Sequence, residues 1–558
     1  MPNLSQTVPS LLLSACALTA TPVLAQTGQP PGLERIAHLV VIYQENHSFD
    51  NLYASWEGVT GSASSTAAHN PQVDQQGIPF DCLPQNDPSL TSPAPLAVSC
   101  RDARHGIESA FANVPFTLDP YLPADARTCP DGAPGGCSRD LVHRFYQEQY
   151  QLDQGRMDRY VTGSDALGLT MGQYDTRQLA IYRYLHAPGH PRYAIADNFF
   201  QAAFGGSFLN HQWLVAAATP VYPLAVGDGS PHDLHARLDA NGMPAKYAFY
   251  TPTTHVAEGP LTAPCDETTR RLGLACGDHA VNTIQPTFQP YAPGTPEHKR
   301  LPPQTGRTIG DTLSAAGVDW AWFSGGWSNA SGAIGAPGWT NGDGSICTDP
   351  HTIAGATPPY CPDRLFQFHH QPLDYYASFD PGTEAGRANR AAHLRDEAEF
   401  IARATASTDT CQLPAVSFVK PSGAENEHPG YASEGQGGEH LVDLIRAIES
   451  GRCAADTAII VTYDEFGGQW DHVAPPGQGN DRGPHDQWGP GTRIPAVLIS
   501  PLLTQEFAVD HTQYDTTSIL ALIEARFGLS PLGTRDAQVA PFGVGLLGGV
   551  GGVAPGRP

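Results

Sequence analysis

The sequence predicts an α/β fold: an α/β/α sandwich around a largely parallel central sheet, with long loop insertions. Three observations predict it. Short apolar runs at 39–43, 318–323, 415–419, 458–463 and 494–499 show no polar alternation, as strands covered on both faces do. Amphipathic helical patterns separate several of them. The polar clusters follow the apolar runs directly, as at the carboxyl ends of parallel strands where open α/β sheets keep their ligands.

The chain has 558 residues, 40% of them hydrophobic, and a formal charge of -25. This length allows one very large domain or several ordinary ones. The acidity lacks the basic stripe that a nucleic-acid partner requires, so none is expected. Beyond the N-terminus no run of eighteen apolar residues occurs, so stable membrane insertion is not expected either.

Residues 1–25 read as a signal peptide: "SLLLSACALTATPVLAQ" has an apolar core, then Val23-x-Ala25 before Gln26. It carries no Lys or Arg in its first part, and "LSAC", ending at Cys16, is a competing lipid-anchor signal. A periplasmic or secreted location follows. Cys16 leaves with the signal, and the ten remaining cysteines form near neighbours in sequence. The simplest pairing is Cys82–Cys100, Cys129–Cys137, Cys265–Cys276, Cys347–Cys361 and Cys411–Cys453. Such a framework belongs to an oxidising compartment.

Residues 26–540 read as one domain with insertions near 54–135, 225–305 and 325–362, which are crowded with Gly, Pro, Ser, Thr and Asn. Residues 541–558 form a Gly-rich tail expected to fray or pack loosely. "EHLVDLIRAIESG" places Leu441, Leu444, Ile445 and Ile448 on one helical face, with Gly451 as the stop. "DTTSILALIEARFG" is a second helix, capped by Asp515 or Thr516 and closed by Gly528.

Chemistry concentrates in three places. In "VVIYQENHSFDNLY" (40–53) an apolar strand runs straight into Glu45, Asn46, His47, Ser48 and Asp50. "AIIVTYDEFGGQWDHVAPP" (458–476) does the same with Asp464 and Glu465, followed by Gly467, Gly468 and His472. Acids gathered from two such ends need a cation, and all-oxygen ligands fit one hard divalent ion of the Ca or Mg type. The competing reading is that each acid caps a following turn.

In "NFFQAAFGGSFLNHQWLVAA" (198–217) Gly205 and Gly206 leave room for a ligand, and Ser207 stands where a helix begins. Anions are favoured there, and a metal-held Ser oxygen could attack phosphorus. Ser207 as a plain helix cap is the alternative. His143, His369, His370 and His428 lie in aromatic or Gly-rich segments. Imidazoles can bind phosphoryl oxygens and protonate a leaving alkoxide.

Together "QENHSFDNLY", "LVHRFYQEQYQLDQGRMDRY", "GGSFLNHQ", "FHHQP", "EHPGYASEGQ", "TYDEFGGQWDHVAPP" and "GPGTRIPAVLISP" resemble the bacterial phosphoesterase family, in order from about residue 34 to 530. That family unites non-specific phospholipases C with acid phosphatases of the alkaline-phosphatase-like superfamily. The resemblance implies that residues 26–540 are a phosphoesterase catalytic domain. It implies a metal held by Glu45, Asn46, Ser207, Asp464 and Glu465, with Ser207 as nucleophile. Asn46, His143, His369, His370 and His428 would surround the phosphoryl group, and His472 is a weaker assignment.

Phospholipase branches read Thr-Asp-Pro-Asn-Arg where this chain has "SFLNH" at 207–211, and tend to have Arg in place of His47. The departures put first a secreted acid phosphatase acting on small phosphorylated substrates through a phosphoserine. A phospholipase C is the alternative. A secreted protein that binds an anion at its metal without turnover is the rival from another class.

Overall fold

The computed structural model describes residues 32–61, 69–84, 97–124, 139–223, 233–292, 294–332, 366–430 and 432–547, together with Met1. Eight strands form its main sheet. In chain order they are β1 (His38–Gln44), β2 (Tyr193–Ala196), β3 (Trp320–Ser324), β4 (Leu394–Asp396), β5 (Val416–Lys420), β6 (Thr457–Tyr463), β7 (Ala496–Ile499) and β8 (Phe507–Asp510). Across the sheet the order is β8-β2-β7-β6-β1-β5-β3-β4.

β1 lies at the centre, parallel to β5 on one side and β6 on the other. β5–β3, β3–β4 and β2–β8 are also parallel. β7 alone runs against its neighbours, β6 and β2. The expected strands form at the apolar runs, with ends shifted by a few residues. The sequence did not point to β2, β4 and β8, which have only three or four residues each. Nor does an apolar run reveal its direction, so β7's reversal had no signal.

Every residue of β6 is buried, as is every residue of β1 after His38, which requires cover on both faces. Helices supply it in two packed groups. One comprises α3 (Ala180–Leu185), α6 (Glu397–Thr405) and α7 (Glu434–Glu449); the other α4 (Ser207–Ala216), α5 (Ile309–Ala315) and α8 (Thr517–Phe527). Two short helices, α1 (Phe49–Tyr53) and α2 (Phe145–Leu152), belong to the site described below.

α7 buries Leu441, Leu444, Ile445 and Ile448 as its pattern requires, but starts earlier, capped by the Ser433 hydroxyl. α8 is capped by Asp515, whose Oδ1 accepts from the Thr517 amide at 2.7 Å, and ends on Gly528 in the left-handed region.

Among the described residues the pairs Cys82–Cys100, Cys265–Cys276 and Cys411–Cys453 form as expected. The first two close loops in the insertions. The third joins the entries to β5 and β6. The expected pairs Cys129–Cys137 and Cys347–Cys361, the signal segment and the end of the tail lie outside the described residues. The described start of the tail is packed rather than frayed, because Phe542 and Leu547 bury in the core. No helix of the described residues is long and apolar enough to cross a membrane.

Candidate active site

Strand register builds the site. Gln44 stands opposite Tyr463 in the β1–β6 pairing, so Glu45 and Asp464 leave the sheet side by side. The Asn46 amide then donates to Asp464 Oδ1 at 3.0 Å. Asn46 takes a left-handed conformation, φ 59°. Gly467 closes over it so tightly that a Cβ there would meet the Asn46 carbonyl oxygen at 2.1 Å. Backbone bonds from Glu45 to the Asn426 carbonyl and from Asp464 to the Gln44 carbonyl, both 3.0 Å, tie three loops together.

Ser207 is the first residue of α4, with Gly206 in the capping position. Its hydroxyl does not cap the helix. It donates to Glu45 Oε2 at 3.1 Å, with Asn46 Oδ1 at 3.5 Å. The two glycines are required by close approach: a Cβ on Gly205 would meet the Phe145 nitrogen at 2.6 Å, and one on Gly206 the His143 carbonyl at 2.9 Å.

Glu148 of α2 supports the same turn. Its carboxylate accepts from the Gly205 amide, and from Gln201 Nε2 at 3.0 Å and Thr492 N and Oγ at 2.8 Å. Burial nonetheless pushes its carboxyl up to about 7.

The Asn46 amide lies between His428 and two carboxylates. His428 Nδ1 donates to the Pro429 carbonyl at 2.7 Å, so in the neutral ring Nε2 is an acceptor. It takes a hydrogen bond from Asn46 Nδ2 at 3.0 Å. That orientation sets Asn46 Oδ1 2.8 Å from Glu465 Oε1 and 3.0 Å from Glu45 Oε2. With the amide turned the other way, Nδ2 donates to the same two carboxylate oxygens and Oδ1 accepts from His428 Nε2, so in either orientation the Asn46 side chain is seated among carboxylate oxygens. Six oxygens at about 2.1 Å from an ion stand about 3.0 Å apart, so the crowding fits a hard divalent cation. Asp464 Oδ2, buried and without a hydrogen-bond partner, fits the same purpose. Glu45, Asn46, Ser207, Asp464 and Glu465 can therefore hold such an ion.

The charges agree. Burial, then the Glu45 charge, pushes Asp464 well above the ordinary carboxyl range. Burial, then Asp464, does the same to Glu465. Burial also opposes ionisation of Glu45, yet His370 and Lys420 hold it well below that range. Entry of a cation would displace the protons from the raised pair.

A cavity of about 210 Å³ opens over Ser207, walled by His143, His369, His370, His428 and Arg144. His143 Nδ1 donates to the Leu141 carbonyl at 2.5 Å, and its Nε2 lies 3.6 Å from Glu465 Oε1. Burial lowers His143, against the pull of Asp140. Burial also lowers His369 well below the usual imidazole value and brings His370 to about 4.

Nine of the ten residue positions proposed from sequence thus meet at one place. His472 does not: its Nδ1 sits 2.6 Å from Asp50 Oδ2, and it is not part of the cavity wall. Sequence reasoning missed two others. His211, one turn beyond Ser207 on α4, is fully buried with Nε2 3.7 Å from Glu45 Oε1. Lys420, the last residue of β5, places Nζ on that same oxygen.

A family model described as "Phosphoesterase family" matches residues 36–530. "Phospholipase C A" of Mycobacterium tuberculosis is 24% identical over 546 residues, covering 91% of this chain and 77% of that protein. "Non-specific phospholipase C6" of Arabidopsis thaliana is 29% identical over 158 residues, 24% of this chain and 30% of that protein. Among solved structures, the lipoteichoic acid synthase LtaP from Listeria monocytogenes is similar at 10% identity and a TM-score of 0.24, covering 62% of this chain and 68% of that one.

Proposed function

The chain belongs to the phosphoesterase family, and on that premise we propose that it is an exported, metal-dependent phosphoric-ester hydrolase that passes through a phosphoserine on Ser207. One observation carries the reading: the Ser207 hydroxyl, at the start of a ten-residue helix, joins a knot of acceptor oxygens under a histidine-walled cavity.

A divalent ion bound by Glu45, Asn46, Ser207, Asp464 and Glu465 would supply Lewis acidity, favouring loss of the Ser207 proton and offsetting phosphoryl charge. The chain's own groups do the rest. The amino end of α4 favours the phosphoryl oxygens above it. Glu45 Oε2 orients the Ser207 hydroxyl. Ser207 gives its proton to a neutral imidazole of the histidine wall, Oγ forms a bond to phosphorus, and the departing ester oxygen takes that proton back from the imidazolium. Water then attacks phosphorus and restores the serine. His143 suits proton transfer, because the Leu141 carbonyl occupies its Nδ1 and its ring lines the cavity, whereas His428 Nε2 meets the Asn46 amide.

The relatives named phospholipase C favour phosphodiesters with a lipid leaving group over the monoesters that the sequence motifs put first. The monoester reading keeps one specific support, the replacement of Thr-Asp-Pro-Asn-Arg by Ser207–His211 and of Arg by His47. Three disulfides among the described residues accord with export to an oxidising compartment.

Hydrolysis of p-nitrophenyl phosphate compared with p-nitrophenyl phosphorylcholine, before and after chelation and metal add-back, separates the substrates. Ser207→Ala is expected to keep its melting temperature and lose several orders of magnitude in turnover. Near-normal turnover in that variant would dismiss the phosphoserine route.

A further inference from the structure

The two oxygens of Glu45 keep different company. Oε2 faces Ser207 and Asn46. Oε1 faces a buried group of nitrogens: Lys420 Nζ in direct contact, His370 Nε2 at 3.4 Å and His211 Nε2 at 3.7 Å. His211 Nδ1 donates to the Ser207 carbonyl at 2.8 Å, which leaves its Nε2 with a lone pair. Neither that atom nor His370 Nε2 has a hydrogen-bond partner, although both rings are more than nine-tenths buried. The rings stack with centroids 4.9 Å apart.

Two imidazole nitrogens and one carboxylate oxygen, all within 4.8 Å of one another, are the donor set of a zinc-type position. Ligands about 2.0–2.1 Å from a tetrahedral ion stand about 3.4 Å apart, close to the spacings here. The cation on the shared oxygen, however, is a side chain. Lys420 is 1% exposed and donates its other bond to the Tyr43 carbonyl at 2.9 Å.

We propose that Lys420 is the resident second cation of this centre, its ammonium standing where a second divalent ion would otherwise bind Glu45, His211 and His370. The inference rests on the metal reading above. It explains the charge balance, because one divalent ion and one ammonium together match the three carboxylates Glu45, Asp464 and Glu465. It also makes Lys420 a positioning residue, which fixes Oε1 so that Oε2 points at Ser207.

The test counts metal ions on the full-length protein. Wild type, Lys420→Met and Lys420→Gln are stripped with chelator, checked for folding by circular dichroism and titrated with zinc, with turnover of p-nitrophenyl phosphate measured in parallel. Wild type is expected to bind one equivalent and the Lys420 variants two. The second should vanish in Lys420→Met/His211→Ala. Turnover should fall at least a hundredfold with KM changed less than threefold.

Folded variants that bind one equivalent would overturn the proposal, as would two equivalents in wild type. If the stripped variants fail to fold, rescue by two equivalents of zinc supports it and failure of rescue overturns it. A wild type that binds no divalent ion at all would defeat the underlying metal reading, a result distinct from any outcome in the variants.

Discussion

The same two motifs build two carboxylate clusters with opposite fates. "QENHSFDN" contributes Glu45 to one and Asp50 to the other; "DEFGGQWDH" contributes Asp464 and Glu465, then Asp471 and His472. In the second cluster Arg493, fully buried, contacts both Asp471 oxygens at 3.1 Å and Asp50 at 3.0 Å. Its remaining donors reach the Thr60 and Asp197 carbonyls at 2.7 and 2.8 Å. His472 closes the network on Asp50. That cluster is saturated, a rivet between loops. In the first, Lys420 pairs with Glu45, and Asp464 Oδ2 is left without a hydrogen-bond partner. Unsatisfied carboxylate, rather than carboxylate as such, marks the place for a soluble ion.

The largest expected effect breaks the unsaturated cluster. Glu45→Ala or Asp464→Ala should lower bound metal to well below one ion per chain and abolish turnover together, since each removes a charged oxygen ligand. The melting temperature of the chelated Asp464→Ala protein should hold or rise, because the substitution removes a carboxyl whose ionisation burial and then Glu45 oppose. Full metal content by elemental analysis in either variant would show these acids to have another task.

The next effect breaks the saturated cluster. Arg493→Met strands two buried acids and should cost about 3–5 kcal/mol in chemical denaturation. The metal count of the folded fraction should stay at the wild-type value. A change in that count would mean the two clusters are coupled.

The smallest effect sharpens the contrast with an intermediate case, a cluster held by a cation that titrates. His440 Nε2 lies 3.0 Å from Glu397 Oε1 and 3.9 Å from Glu425 Oε2. Burial opposes its protonation, but Glu397 and then Glu425 raise it from 6.5 to about 9. A histidine raised on folding stabilises fully below its unfolded value and loses that contribution as pH climbs through its folded one. Wild type should therefore lose melting temperature between pH 6.5 and 9, and His440→Gln should flatten that slope. Parallel profiles for the two proteins would remove His440 as the cause.

Much of this was legible because physics writes it plainly. Strands covered on both faces need unbroken apolar runs, and the central ones have them. The edge strands β4 and β8, three and four residues long, are too short to announce themselves. Glu45, Asn46, Asp464 and Glu465 were legible because a buried strand that runs straight into polar groups must give them partners, and open α/β sheets hold their ligands at such ends. Lys420 ends the run "AVSFVK" in the same way, but a lone lysine after a strand resembles ordinary surface. His211 was findable from helical spacing, since one turn after Ser207 returns to the same face. His472 misled through adjacency: only a short step past Gly468, the chain has already left the cavity for Arg493.

The Asn46–Asp464 bond joins residues 418 apart in sequence, and its timing has a consequence. β1 emerges early in synthesis, but its neighbour β6 is made last among the strands carrying site residues. Contacts this remote form late, after most of the intervening chain has found its place. Until then Glu45 and Asp464 are separate carboxylates with little hold on any ion. On the proposed metal reading, ion capture would follow completion of the sheet, and the compartment in which the chain folds would set which ions the site meets first.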